Sequence, residues 1–149
     1  MVFKKEGYEI TFASPTGGPI PIDCNSLRDP FFTQESKEFL HDADAMDMFM
    51  HTLKISEVAT SGYFDALYLP WGSGCCADFI NNVDVKSAIE STHGAGKVVA
   101  IVCHGPIALA ECFKPDGTTP FVQGMTVTGF SNAEEEMVGG TSKVPFLIE

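Results

Sequence analysis

Val98-Val99-Ala100-Ile101-Val102-Cys103-His104-Gly105-Pro106-Ile107-Ala108-Leu109-Ala110 is the stretch whose reading decides the fold. The β-branched run up to Val102 reads as a strand buried on both faces. Ile107-Ala108-Leu109-Ala110 behind Pro106 reads as a helix with proline in its first turn. Cys103 then stands at the hinge, where a thiol is lifted off the sheet end. Amides of the following helix start would favour its thiolate, and His104 is an adjacent proton partner. A buried spectator is the ordinary fate of a free cysteine. The order strand, Cys, His, Gly, Pro, helix is instead the strand–turn–helix context of a nucleophile elbow.

Working outward, the chain reads as β–α units without repeats. Tyr8 to Ala13 reads as a strand, followed by the turn-rich Ser14-Pro15-Thr16-Gly17-Gly18-Pro19. A polar insertion runs from about 23 to 61. In it Thr33-Gln34-Glu35-Ser36 begins a short helix, and Asp42 to Leu53 reads as another, with Met46, Phe49, Met50 and Leu53 on one face. Ala66 to Leu69 is a strand ending at Pro70-Trp71-Gly72-Ser73-Gly74, Asp84 to Ala95 a helix stopped by Gly96, and Lys97 to Val102 the strand feeding the elbow. Lys114-Pro115-Asp116-Gly117 is a turn, Met125 to Thr128 a further strand, and Asn132-Ala133-Glu134-Glu135-Glu136 a short acidic helix whose glutamates read as a solvated face. Strands alternating with helices call for a parallel sheet covered on both faces, in one domain over residues 1–149.

Composition sets limits on function. The net charge of −11, with nine Lys and Arg and no basic cluster beyond Lys4-Lys5, argues against nucleic acid as a partner. Apolar runs are strand-sized, so no membrane span and no secretory signal is expected, and a cytoplasmic address follows by default. The five cysteines, at 24, 75, 76, 103 and 112, have neither zinc-site nor disulfide-framework spacing. Cys75 and Cys76 read as buried spectators, and no metal is expected.

Val99-Ala100-Ile101-Val102-Cys103-His104-Gly105-Pro106 resembles the Cys-His elbow of the DJ-1/PfpI superfamily, in particular its Hsp31-like branch. Gly7-Tyr8-Glu9-Ile10-Thr11-Phe12-Ala13-Ser14-Pro15, Tyr63-Phe64-Asp65-Ala66-Leu67-Tyr68-Leu69-Pro70 and Val127-Thr128-Gly129-Phe130-Ser131-Asn132-Ala133-Glu134-Glu135-Glu136 agree, in matching order. The resemblance implies a flavodoxin-like α/β fold of the class I glutamine-amidotransferase-like type, a parallel sheet sandwiched by helices. It also implies glutathione-independent conversion of methylglyoxal to D-lactate, with chaperone and deglycase roles. Cys103 and His104 carry over as catalytic residues, with Gly72, Gly74 and Gly105 at the oxyanion and substrate position. The acidic segment at 134–136 is structural by the same resemblance. No metal or organic cofactor is implied; the partner is a small aldehyde, with a homodimer or self-association besides.

Two departures qualify this. The start reads as the last turn of a helix, with Lys4 and Lys5 at its C-terminus and Gly7 as cap, and the far end stops in the apolar Val144-Pro145-Phe146-Leu147-Ile148. The sheet is therefore expected to be incomplete, with a gap where a central first strand belongs. The acid/base glutamate that the branch places after that strand has no matching residue. Where relatives carry a Gly-Gly-His-Gly type turn, Trp71 and Ser73 stand in place of glycine and histidine. These departures favour an impaired enzyme, or a catalytically silent, chaperone-like relative. A glutamine-amidotransferase-like domain is the third reading; it needs a histidine well downstream of the cysteine, and none follows His104.

Overall fold

The computed structural model describes residues 2–59 and 64–149, so the end of the insertion at Ser61 and Tyr63 of the segment before the elbow lie outside the described residues. The chain forms two compact units, residues 1–55 and 56–149.

In the first unit, α1 (Val2–Lys5) ends at Gly7, whose φ of 80° is the left-handed value expected of a glycine cap. α2 (Gln34–His41) and α3 (Ala43–Met50) start where the polar caps stand. Thr33 accepts from the Ser36 amide and Asp42 from the Ala45 amide. Asp42 also takes a salt bridge from Lys4, and the Ala45 amide together with that ammonium holds its carboxyl below the ordinary range. The helix expected to reach Leu53 stops at Met50, and Leu53 lies instead in β2 (Leu53–Lys54), parallel to β1 (Ala13–Ser14). The strand expected from Tyr8 is thus confined to its last residue and Ser14. Buried Ser14 and Thr52 close this corner with a hydroxyl–hydroxyl bond of 2.9 Å.

The second unit holds the elbow. β3 (Ala66–Trp71) and β4 (Val98–Cys103) pair in parallel over six residues, from Ala66 opposite Val98 to Trp71 opposite Cys103. α4 (Ile55–Val58) precedes them across the unit boundary, and α5 (Cys75–Asp78) follows β3 directly. The crossover between the two strands runs through α6 (Val83–Gly94), capped by the Asn82 side chain on two amides. α6 presents Val85, Ala88 and Ile89, at the i, i+3, i+4 spacing of one helical face, to the core, and Val85 and Ile89 are fully buried. Leu69, Cys75, Cys112 and Phe121 complete that core.

Three expectations are corrected here. β4 is not buried on both faces. α6 covers one side, while on the other Val98 is 61% and Val102 46% exposed, beside exposed Ala66, Tyr68 and Pro70 of β3. An all-apolar strand pattern records what a strand can tolerate, and cannot show whether a second layer is present. The segment behind Pro106 is a 3-10 helix, Gly105–Glu111, rather than an α-helix, with Pro106 in its first turn as expected. Met125 to Thr128 is irregular, its residues exposed, rather than a strand. The strands fall into two parallel two-stranded ladders, β1–β2 and β3–β4.

Candidate functional site

β4 delivers Cys103 to the end of the ladder in a left-handed conformation, φ 63°. A non-glycine residue there stores about 1–3 kcal/mol of backbone strain, which the surroundings must over-determine. They do so from both sides. The Cys103 carbonyl, turned out of the ladder, accepts the Phe130 amide at 2.9 Å. Gly105, two residues on, packs so closely that a Cβ on it would stand 2.6 Å from Ile101 Cγ2 and 3.3 Å from the Leu69 carbonyl. The elbow turns this sharply because residue 105 has no side chain.

The thiol Sγ lies 3.2 Å from His104 Nδ1, and His104 Nε2 lies 2.6 Å from Glu135 Oε2. His104 and Glu135 are both buried, at 4% exposure each. This corrects the reading of 134–136 as a solvated face. Glu134 caps α7 (Asn132–Met137) in a reciprocal capping box with Ser131, and Glu136 is exposed, but Glu135 turns inward. One helical turn cannot point three consecutive side chains to the same side, and the charge run gave no sign of which one would be buried. Together, Cys103, His104 and Glu135 form a relay that fixes a tautomer. A carboxylate only accepts, so Nε2 donates to it and, in the neutral ring, Nδ1 presents its lone pair to the thiol. The Phe130 ring stacks on His104, centroids 4.4 Å apart and planes 28° from parallel.

The electrostatics also correct an expectation. Burial pushes the Cys103 thiol above its ordinary value; the hydrogen bond from the His104 amide lowers it, and the charges of Glu135 and Glu134 add to the rise. Desolvation outweighs the helix-start amides, so the resting sulfur is a thiol rather than a thiolate. Cys75 and Cys76, fully buried in α5, are pushed up chiefly by the same desolvation, and Cys112 reaches about 12. These three are inert packing residues beside a half-buried Cys103.

Register brings the other expected residues near. Trp71 pairs with Cys103, so the turn Gly72-Ser73-Gly74 leaves β3 at the level of the elbow, and α5 begins at once, with the Cys75 amide donating to the Gly72 carbonyl. Gly105 is buried under the elbow. Among the described residues no group of three or more His, Cys, Asp or Glu is arranged to hold a metal ion. Two open surface grooves in this unit, lined in part by Asn82, Lys86 and Phe113 and by Glu90, Lys114 and Pro115, lie on other residues than these.

The cysteine elbow and its buried His–Glu pair stand on parallel strands and helices that make a mixed α/β structure of the flavodoxin-like type. The DJ-1/PfpI family profile matches residues 1–144, and the chain belongs to that family. It is 30% identical over 141 residues to Glyoxalase 3 of Candida albicans, covering 94% of this chain and 59% of that protein. Against the glutathione-independent glyoxalase HSP31 of Saccharomyces cerevisiae the identity is 26% over 138 residues, 92% of this chain and 58% of that one. The crystal structure of glyoxalase III from Candida albicans superposes with a TM-score of 0.82 at 28% identity, over 95% of this chain and 59% of that chain. The Francisella tularensis Rapid Encystment Protein of 24 kDa gives 0.85 at 31%, over 97% and 62%. The chain thus spans about three fifths of the length of these relatives.

Proposed function

We propose that the chain carries the nucleophile half of a glutathione-independent glyoxalase, a lyase-type activity converting methylglyoxal to D-lactate. The observation that carries this reading is the hydrogen-bonded series Sγ, Nδ1, Nε2, Oε2, which gives a neutral thiol a base aligned to take its proton. Relatives named as glutathione-independent glyoxalases support the substrate class.

As Cys103 Sγ attacks the aldehyde carbon, a carbon–sulfur bond forms, the thiol proton passes to Nδ1, and the π electrons move onto oxygen. Amides of Gly74 and His104 stabilise that oxygen, with Gly72 and Gly105 shaping the pocket wall. The imidazolium returns its proton to give a hemithioacetal. His104, neutral again, takes the former aldehyde hydrogen as a proton while the ketone oxygen gains one from water, giving an enediol; the imidazolium then protonates the neighbouring carbon, and the hydroxyl on the first carbon gives its proton to water as that carbon becomes a thioester carbonyl. The transfer is internal, so no redox cofactor is consumed. Water then cleaves the thioester, releasing lactate and the thiol. Glu135 holds the imidazole in place and offsets its charge whenever it carries the second proton.

The test is D-lactate formation from methylglyoxal in glutathione-free buffer. Weak turnover is expected from the unaltered chain and none from Cys103→Ala; turnover that survives that substitution overturns the mechanism. No helix among the described residues is long and apolar enough to cross a membrane. A second, chaperone-like reading is favoured by one feature, the exposed apolar residues Val98 and Val102 on one face of β3–β4. The same face would serve self-association.

A further inference from the structure

Phe130 touches the elbow twice, through two different parts of the residue. Its amide satisfies the Cys103 carbonyl at 2.9 Å, and its ring lies against His104 at 4.4 Å between centroids. The first contact depends only on backbone. The second depends on the flat aromatic face, which lies 28° from parallel to the imidazole. Turning about the Cβ–Cγ bond would carry the imidazole nitrogens away from the Cys103 thiol and the Glu135 carboxylate. A stacked plane removes that rotation.

We infer that Phe130 is a positioning residue, acting through His104: its ring sets the imidazole plane so that Nδ1 faces the Cys103 sulfur while Nε2 remains on Glu135. This rests on the proposed role of His104 as the base for the thiol. It goes beyond that role by adding a side chain that acts through the imidazole it stacks on. Half-buried and apolar, Phe130 would pass for ordinary packing on sequence alone. Its neighbourhood is consistent with a held position, since a Cβ on Gly129 would meet Pro106 of the elbow at 3.5 Å and Ser131 caps α7, the helix that carries Glu135.

The test uses alkylation of Cys103 by iodoacetamide, followed at that residue by peptide mass spectrometry from pH 6 to pH 10, and needs no methylglyoxal. In the unaltered chain the rate should show two limbs: a neutral-pH limb in which His104 takes the proton, and a high-pH limb from the thiolate. Phe130→Leu keeps the backbone amide and most of the volume. It should lower the neutral limb about tenfold, a fraction of what a general base contributes, and leave the high-pH limb in place. Phe130→Tyr, which restores the aromatic face, should restore the neutral limb. A Leu variant with an unchanged profile overturns the inference. So does a Leu variant in which both limbs fall together, or a folded Tyr variant that fails to recover the neutral limb. If these profiles behave as stated while methylglyoxal is not turned over, the positioning role stands and the glyoxalase reading fails.

Discussion

Glu135 carries more of the site than its place in a run of glutamates suggests. The 2.6 Å bond to His104 Nε2 is short and fully buried, the setting in which a charge-assisted hydrogen bond is strongest. Because burial keeps Cys103 a thiol at rest, the proposed mechanism activates it as the proton leaves, with an imidazolium at His104 facing the Glu135 carboxylate. Glu135→Gln preserves the shape but removes the charge, and lets the amide donate where the carboxylate only accepts. It should lower turnover by about a hundredfold or more at neutral pH, the scale of a general base deprived of its partner. The loss should shrink as pH rises towards the raised Cys103 value, where the thiolate forms without a base. Steady-state rates over that pH range check this; an equal loss at every pH would show that Glu135 acts in some other way. Cys103 and His104 were legible because a β-branched run, a Cys-His pair and a Gly-Pro stand in one order. Glu135 was not, because burial of a single member of a charge run depends on a helix docking that no local pattern encodes.

At the scale of elements, the elbow is a close packing of β3, β4 and the 3-10 helix Gly105–Glu111. The hinge itself could be read from the strand pattern and Pro106. The type of helix could not, since proline in a first turn suits either geometry and the choice depends on how tightly Gly105 meets Ile101. Gly105→Ala would put a methyl 2.6 Å from Ile101 Cγ2 and against the Leu69 carbonyl, a backbone atom that cannot rotate away. Overpacking of this kind costs about 1–3 kcal/mol. The expected outcome is a lower urea midpoint with an unchanged m-value, together with slower alkylation of Cys103 as the elbow opens. A midpoint equal to that of the unaltered chain would mean that the elbow yields without cost. The loss of the expected Met125–Thr128 strand has a similar cause: alternation of apolar residues allows a strand, but Val127 and Met125 stand exposed and no ladder pairs with them among the described residues.

Over the whole molecule, the parallel ladder and its α6 crossover were readable from the alternation of patterns, and the family assignment followed from motifs in matching order. The exposure of one β3–β4 face was not readable, since Val98 and Val102 are the same residues whether or not a layer covers them. The chain spans about three fifths of its relatives, yet within its described residues it brings together a thiol, an imidazole and a carboxylate. The central claim is that Cys103 becomes acylated by the substrate during turnover. The measurement is peptide mass spectrometry of chain quenched in acid while methylglyoxal is present and glutathione is absent. A lactoyl group should be found on Cys103, absent from Cys75, Cys76 and Cys112, and strongly reduced in His104→Gln. Quenched protein that carries no acyl group on Cys103 while D-lactate accumulates, or carries it equally on exposed Cys24, would contradict the account.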